Sequence, residues 1–175
     1  LKFGNGLQEG IQMGPVVSKR QKEKVLGYME KGLKEGAKLA LDGRDIKGDG
    51  YPNGVYIGPT VFDEVHPDMT IAKEEIFGPV VPLIHVKNLD EGLKLIENSE
   101  YGNAACLYTT NGKTAREFKY RAVASMMGIN LGIAAPMSFF PFGGAKGSFF
   151  GDIKGHGREV FQFFTDTKVV IQRWT

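Results

Sequence analysis

The sequence predicts an α/β fold: a mostly parallel sheet with helices on both faces. Three observations carry this. Segments with apolar residues four apart alternate with short apolar and β-branched runs through the 175 residues, the pattern of strand–helix–strand units. Helical segments open on residues suited to capping, Ser18, Asn88 and Asn111, whose side chains accept from early backbone N–H groups. Val80 to Val86 is an almost continuous apolar run, as expected of a strand buried on both faces.

The elements follow in order. Leu1 to Val17 reads as irregular. Ser18 and Gln21 then form a capping box, with Gln21 able to reach back to the cap. Val25, Met29 and Leu33 share one face of the first helix, and Gly36 stops it. "AKLALDG" reads as a short strand and turn, and "DIKGDGYPNG" as a turn-rich loop. "VYIGPTVFDEV" is strand material broken by Pro59. Asn88, with Glu91 as its partner, starts a helix whose apolar face is Leu93 and Ile96. "NAACLYTT" is a strand containing Cys106. Asn111 caps a helix to about Val123, with Ala115, Phe118 and Ala122 inward. "SMMGIN" is a strand, Gly157 to Phe164 a helix, and "KVVIQRW" a terminal strand.

Hydrophobic residues at 42% and charged residues at 24% suit a soluble globular domain. The chain is long enough for one domain with a proper core. Twenty-two basic against 20 acidic residues leave a net charge of +2. That balance argues against a nucleic-acid or membrane partner. Nor does any apolar run approach the ~20 residues a membrane span needs. The opening "LKFGNG" is no signal peptide and lacks a starting methionine, so a fragment or processed product is expected. Cys106 is the sole cysteine, and His66, His85 and His156 show no ligand spacing; no disulfide or metal site is expected. Cys106, flanked by Ala104, Ala105 and Leu107, reads as a structural residue, a small buried hydrophobe.

Two stretches stand out. "SFFPFGGAKGSFFG", Ser138 to Gly151, packs five phenylalanines among four glycines. A phosphate cradle would need a lysine directly followed by serine or threonine, but Gly147 separates Lys146 from Ser148. A core segment and a pocket wall remain, because pockets are mostly apolar and aromatic. The stretch follows a strand ending near Asn130, and strand carboxyl ends are where such sheets bind ligands. The second stretch is Glu74-Glu75-Ile76-Phe77-Gly78-Pro79. Two adjacent acids cannot both pack inward, so one faces water and the other is available to a ligand. A carboxylate suits paired sugar hydroxyls; a solvated turn is the plainer reading.

Together these stretches resemble the aldehyde dehydrogenase superfamily. "KEEIFGPVV" matches a superfamily signature, joined by "MGPVVS" and "GPT". "MGINLGIAAPMSFFPFGGAKGSFFGD", running on to "FFTDTKVVIQRW", resembles the CoA-acylating methylmalonate-semialdehyde dehydrogenase branch. The resemblance covers essentially the whole chain and implies a division into 1–166, part of a catalytic domain, and 167–175, a C-terminal oligomerisation strand. It implies NAD as cofactor, CoA as co-substrate and a semialdehyde substrate. A homo-oligomer, dimer or tetramer, in the cytoplasm or a mitochondrial matrix follows by the same likeness. By that likeness Glu75 holds the nicotinamide ribose hydroxyls and Phe77 lies beside the nicotinamide ring. Phe142, with Phe140 and Phe139 less strongly, walls the aldehyde pocket. The nucleophilic cysteine, the general-base glutamate and most of the NAD site are expected before Leu1, so the chain alone is expected to be inactive. The rival readings are a non-acylating member of the superfamily and a stand-alone binding or oligomerisation module.

Overall fold

The computed structural model describes residues 1–175. The chain parts into two compact units, Leu1–His85 and Val86–Thr175. Nothing in the local sequence marks that boundary, which falls at the end of the apolar run around Val80 to Val86.

In the first unit, α1 (Lys19–Lys34) starts where Ser18 Oγ accepts from the Gln21 N–H. Lys31 and Lys34 occupy its last turn, where cations favour the helix dipole. It is followed by β1 (Lys38–Leu41), β2 (Thr60–Asp63), the single turn α2 (Thr70–Lys73) and β3 (Val80–Pro82). The sheet order is β1-β2-β3, antiparallel between β1 and β2 and parallel between β2 and β3. Val25 and Met29 of α1 pack with Ile57, Phe62, Ile71 and Ile76 in one core.

The second unit runs α3 (Leu89–Asn98), β4 (Ala104–Leu107), α4 (Gly112–Arg121), β5 (Met126–Ile129) and α5 (Glu159–Phe164). β4 and β5 pair in parallel with α4 between them, the expected strand–helix–strand unit. Asn88 caps α3 at the Glu91 N–H, and Asn111 caps α4 at Lys113 and Thr114. Its buried apolar side chains are Leu93 and Phe118, a much thinner core than that of the first unit.

Several expectations need correction. Gln21 does not complete the capping box: its amide donates to the carbonyls of Ile76 and Phe77 instead. The run from Val80 to Val86 is a strand only to Pro82, and Val81, Leu83 and Val86 are exposed. Glu64, just beyond β2, takes a left-handed φ of 54°, and past Pro82 the pairing goes on by two bonds only, from Leu83 N–H to Phe62 O and from Val65 N–H to Leu83 O. Cys106 is exposed, not buried, because a two-stranded β4–β5 sheet leaves that face of β4 uncovered. Residues 165–175 form no strand within the chain; no neighbouring strand offers them a ladder.

Backbone and side chain meet closely where α1 crosses the segment after α2. A Cβ on Gly78 would stand 2.6 Å from Val25 Cγ2, a branched methyl in a fully buried residue. Gly78→Ala is therefore expected to destabilise the fold by about 1–3 kcal/mol, the usual cost of overpacking. Thermal denaturation checks this, and an unchanged midpoint would show that α1 yields freely.

Candidate functional site

The first cluster of site residues lies in the first unit, on the turn between α2 and β3. α2 is held by Glu35, at the C-terminus of α1: its carboxylate accepts from the Thr70 N–H at 2.7 Å and Thr70 Oγ1 at 2.5 Å. Those two bonds, the hydroxyl one foremost, hold the Glu35 carboxyl below its ordinary pKa. The chain then leaves the helix in extended conformation at Glu74. Glu74 accepts a 2.6 Å bond from the Tyr28 hydroxyl. Ile76 points into the core, while Glu75 and Phe77 are exposed. Glu75 makes no hydrogen bond or ion pair within the chain, which separates the two adjacent acids: Glu74 is engaged and Glu75 is available.

Phe77 has a φ of 56° and is 72% exposed. An aromatic residue in the left-handed region costs on the order of 1–2 kcal/mol, and an exposed ring recovers little of it by burial. Such strain persists where the surroundings over-determine it. Here the Gln21 amide does so, donating to Ile76 O at 3.2 Å and Phe77 O at 2.9 Å. The turn therefore presents a solvated carboxylate and a flat apolar ring two residues apart. That pair can accept from a diol and shield the face of a planar ring. These are the features the nicotinamide ribose and ring of NAD would require, so the residues present fit that group.

The second cluster lies in the second unit. The Phe/Gly stretch is inverted relative to a core segment: Gly143 and Gly144 are buried, while Phe139, Phe140, Phe142 and Phe150 are exposed. Close approach of backbone requires glycine at 144, while a side chain at 143 would have to displace the Lys154 stem. A Cβ on Gly143 would lie 2.5 Å from Lys154 Cδ, and one on Gly144 2.8 Å from the Ser148 carbonyl oxygen. Phe139 and Phe140 stack at 4.7 Å, and Phe142 lies 5.3 Å from the His156 ring. An open cavity of about 550 Å³ is lined by Phe139, His156, Arg158 and Phe161, among others.

Lysines tie this loop down. Lys146, itself at a φ of 54°, donates from Nζ to Ile96 O, Glu97 O and Ser99 O at 2.8–3.0 Å. All three ammonium protons are thus spent on the carbonyls at the C-terminus of α3, the end where a cation is favoured. Lys154 Nζ binds Gly144 O at 2.8 Å, and Gly155 N–H binds Phe142 O at 3.1 Å. A lysine so occupied has nothing left for a phosphate, which removes the cradle reading on geometry as well as on spacing.

Cys106 shares none of these features. Its Sγ lies 2.9 Å from where a Cβ on Gly128 of β5 would stand. Its place is that of a strand residue beside a glycine, with no base or cation in contact. Sequence reasoning gave Lys154 no role, weighed Lys146 only for a phosphate cradle and His156 only as a metal ligand, and sent Gln21 to the wrong partner.

Comparison with known proteins places these clusters in context. The profile of the aldehyde dehydrogenase family matches residues 1–170. Malonate-semialdehyde dehydrogenase 1 of Shouchella clausii (strain KSM-K16) is 49% identical over 175 residues, covering 99% of this chain and 35% of that protein. Among solved structures, a provisionally assigned methylmalonate-semialdehyde dehydrogenase of Sinorhizobium meliloti 1021, complexed with NAD, superposes with a TM-score of 0.95 at 43% identity. It is covered to 36% by all of this chain. The methylmalonate-semialdehyde dehydrogenase of Oceanimonas doudoroffii gives the same TM-score at 39% identity, again over all of this chain and 36% of its own. The chain thus spans about a third of the length of these relatives. No helix is long and apolar enough to cross a membrane. A profile matched from the first residue to the 170th, and a backbone superposing along its whole length, establish that the chain belongs to the aldehyde dehydrogenase family.

Proposed function

We propose that this chain serves an NAD-dependent, CoA-acylating dehydrogenase that oxidises malonate semialdehyde or its methyl derivative to an acyl-CoA. The observation that carries the reading is the turn at Glu75–Phe77: one carboxylate without an internal partner beside an exposed ring in a strained, clamped conformation. Identity of 49% to a malonate-semialdehyde dehydrogenase supports the substrate class, and the NAD complex of a 43% identical relative supports the cofactor.

A cysteine thiolate from outside these 175 residues adds to the aldehyde carbon, forming a C–S bond and an alkoxide. NAD, when bound, supplies the hydride acceptor. Loss of hydride from that carbon leaves a thioester on the cysteine. The thiol of CoA then takes the acyl group, restoring the enzyme's thiol; the carboxylate β to the thioester leaves as carbon dioxide from either substrate, and a proton takes its place on the α-carbon. In this scheme Glu75 accepts from the ribose hydroxyls, and the Phe77 ring lies against the nicotinamide, fixing its distance from the aldehyde. Phe142, with Phe139 and Phe140, forms the apolar wall that keeps water from the thioester. Cys106, on a strand and without a neighbouring base, takes no part.

The isolated 175-residue chain is expected to reduce no NAD when given malonate semialdehyde and CoA, followed by NADH absorbance. NADH formation by the chain alone would refute the assignment of the nucleophile, and Cys106→Ser would then test the chain's one thiol. In the full-length protein, a CoA thioester detected by mass spectrometry supports the acylating reading. Free acid as the sole product with CoA present would make it a non-acylating relative.

A further inference from the structure

The contacts between α1 and the segment that carries Glu75 and Phe77 form an ordered series. From the C-terminal end of α1, Glu35 binds Thr70, Tyr28 binds Glu74, and Gln21 binds Ile76 and Phe77. Residues 21, 28 and 35 are seven apart, which is nearly two full helical turns, so all three face one side. Between them Gly32 lies against Ile71 and Val25 against Gly78, where an added Cβ would meet the neighbour at 2.8 and 2.6 Å. Among the three polar pairs the partner numbers rise as the α1 numbers fall; Val25 against Gly78 departs from that order, because the chain turns at Phe77. The segment from Thr70 to Phe77 therefore runs antiparallel along α1, pinned at three places by polar bonds, with close packing at Ile71 and, past the turn, at Gly78.

We infer that α1 is the template for the cofactor-facing turn and that Gln21 is its positioning residue. This inference rests on the reading of that turn given above. Two features single out Gln21. Its amide has two N–H donors on one nitrogen, which matches two successive carbonyls. Those carbonyls belong to the residue before the left-handed turn and to the left-handed residue itself. Without a donor there, two carbonyl dipoles lose their partner, and Phe77 is free to return to an ordinary φ. That rotation would carry the Phe77 ring and the Glu75 carboxylate away from their present directions. Gln21 lies on a different element from either side chain, and its amide bonds to the backbone of the turn. Its effect on cofactor is exerted through the turn.

The test uses the full-length protein with Gln21→Glu, Gln21→Lys and Ser18→Ala. Gln21→Glu keeps the shape but sets an acceptor against two carbonyl oxygens. Gln21→Lys keeps donors. Ser18→Ala removes the cap of the same helix, which bonds to the Gln21 backbone and not to the turn. Hydrogen exchange is followed at the Val80 and Thr60 amides, which bond to Gly78 O and Pro79 O. Steady-state kinetics with NAD are measured alongside. Gln21→Glu is expected to speed exchange at both amides about tenfold and raise the KM for NAD about tenfold, with a smaller change in kcat. Gln21→Lys should stay near wild type in both, and Ser18→Ala should change neither.

Unchanged exchange in Gln21→Glu would overturn the inference. So would equal rises in KM for Gln21→Glu and Ser18→Ala, since helix stability alone would then account for both. Faster exchange with no change in KM, while Glu75→Ala does raise KM, would likewise overturn it, since the turn would loosen without cost to the cofactor. Faster exchange with KM unmoved by Gln21→Glu and Glu75→Ala alike supports the template role and refutes the cofactor reading instead.

Discussion

Glu75→Ala in the full-length protein is expected to raise the KM for NAD about a hundredfold, and Glu75→Gln about tenfold. A carboxylate accepting from two hydroxyls makes two charge-assisted bonds; alanine removes both, while glutamine keeps one oxygen and loses the charge. Glu74→Gln is the decisive companion. The two acids are neighbours in sequence, yet Glu74 is held by the Tyr28 hydroxyl at 2.6 Å and Glu75 has no partner in the chain. Glu74→Gln is therefore expected to leave NAD kinetics within about twofold of wild type, since its oxygen can still accept from Tyr28. Isothermal titration with NAD and steady-state rates check both variants. Equal losses at the two positions would point to the net charge of the turn, and a loss at Glu74 alone would reverse the assignment.

We propose that the full-length protein is a homo-oligomer joined through its last residues; removing those after Asp166 is then expected to leave monomers, read by light scattering. Residues 167–175 hold Val169, Val170, Ile171 and Trp174, exposed by 81, 71, 95 and 84%. Four large apolar side chains on nine residues with no intrachain ladder are an unusual surface for a segment meant to stay in water. Extended backbone with open N–H and C=O groups pairs readily with a sheet edge of another chain. We propose that pairing as the role of the segment. An unchanged oligomer after truncation would refute it, and the apolar residues would then need a partner within the longer protein.

Much of the local architecture was legible. The three caps, Ser18, Asn88 and Asn111, were correctly read because capping is a contact between residues two or three apart. β1, β2, β4 and β5 stand where their apolar runs suggested. α2, a single turn from Thr70 to Lys73, carried no periodic signal because four residues are too few to show one. Val80 to Val86 was misjudged because the strand's length depends on its partner, whose bonds to it end at Val65, one residue past the left-handed Glu64.

The candidate site divides the same way. Sequence by itself determined which residues form the two unusual stretches and that one of two adjacent acids must face outward. Through the resemblance, it also determined the family. Only the resemblance chose Glu75; the pattern of the two acids could not, because what engages Glu74 and leaves Glu75 available is a tyrosine 46 residues away. Nor could sequence show that Lys146 is spent on the carbonyls of α3, or that Cys106 sits on an uncovered face. Gln21 is the clearest case. Its position predicted a local bond to its own cap, and the tertiary structure gives its side chain two carbonyls some 55 residues on. An amide bonds to whichever acceptors the packed chain brings within about 3 Å. Composition and spacing fix the candidates, and packing chooses among them.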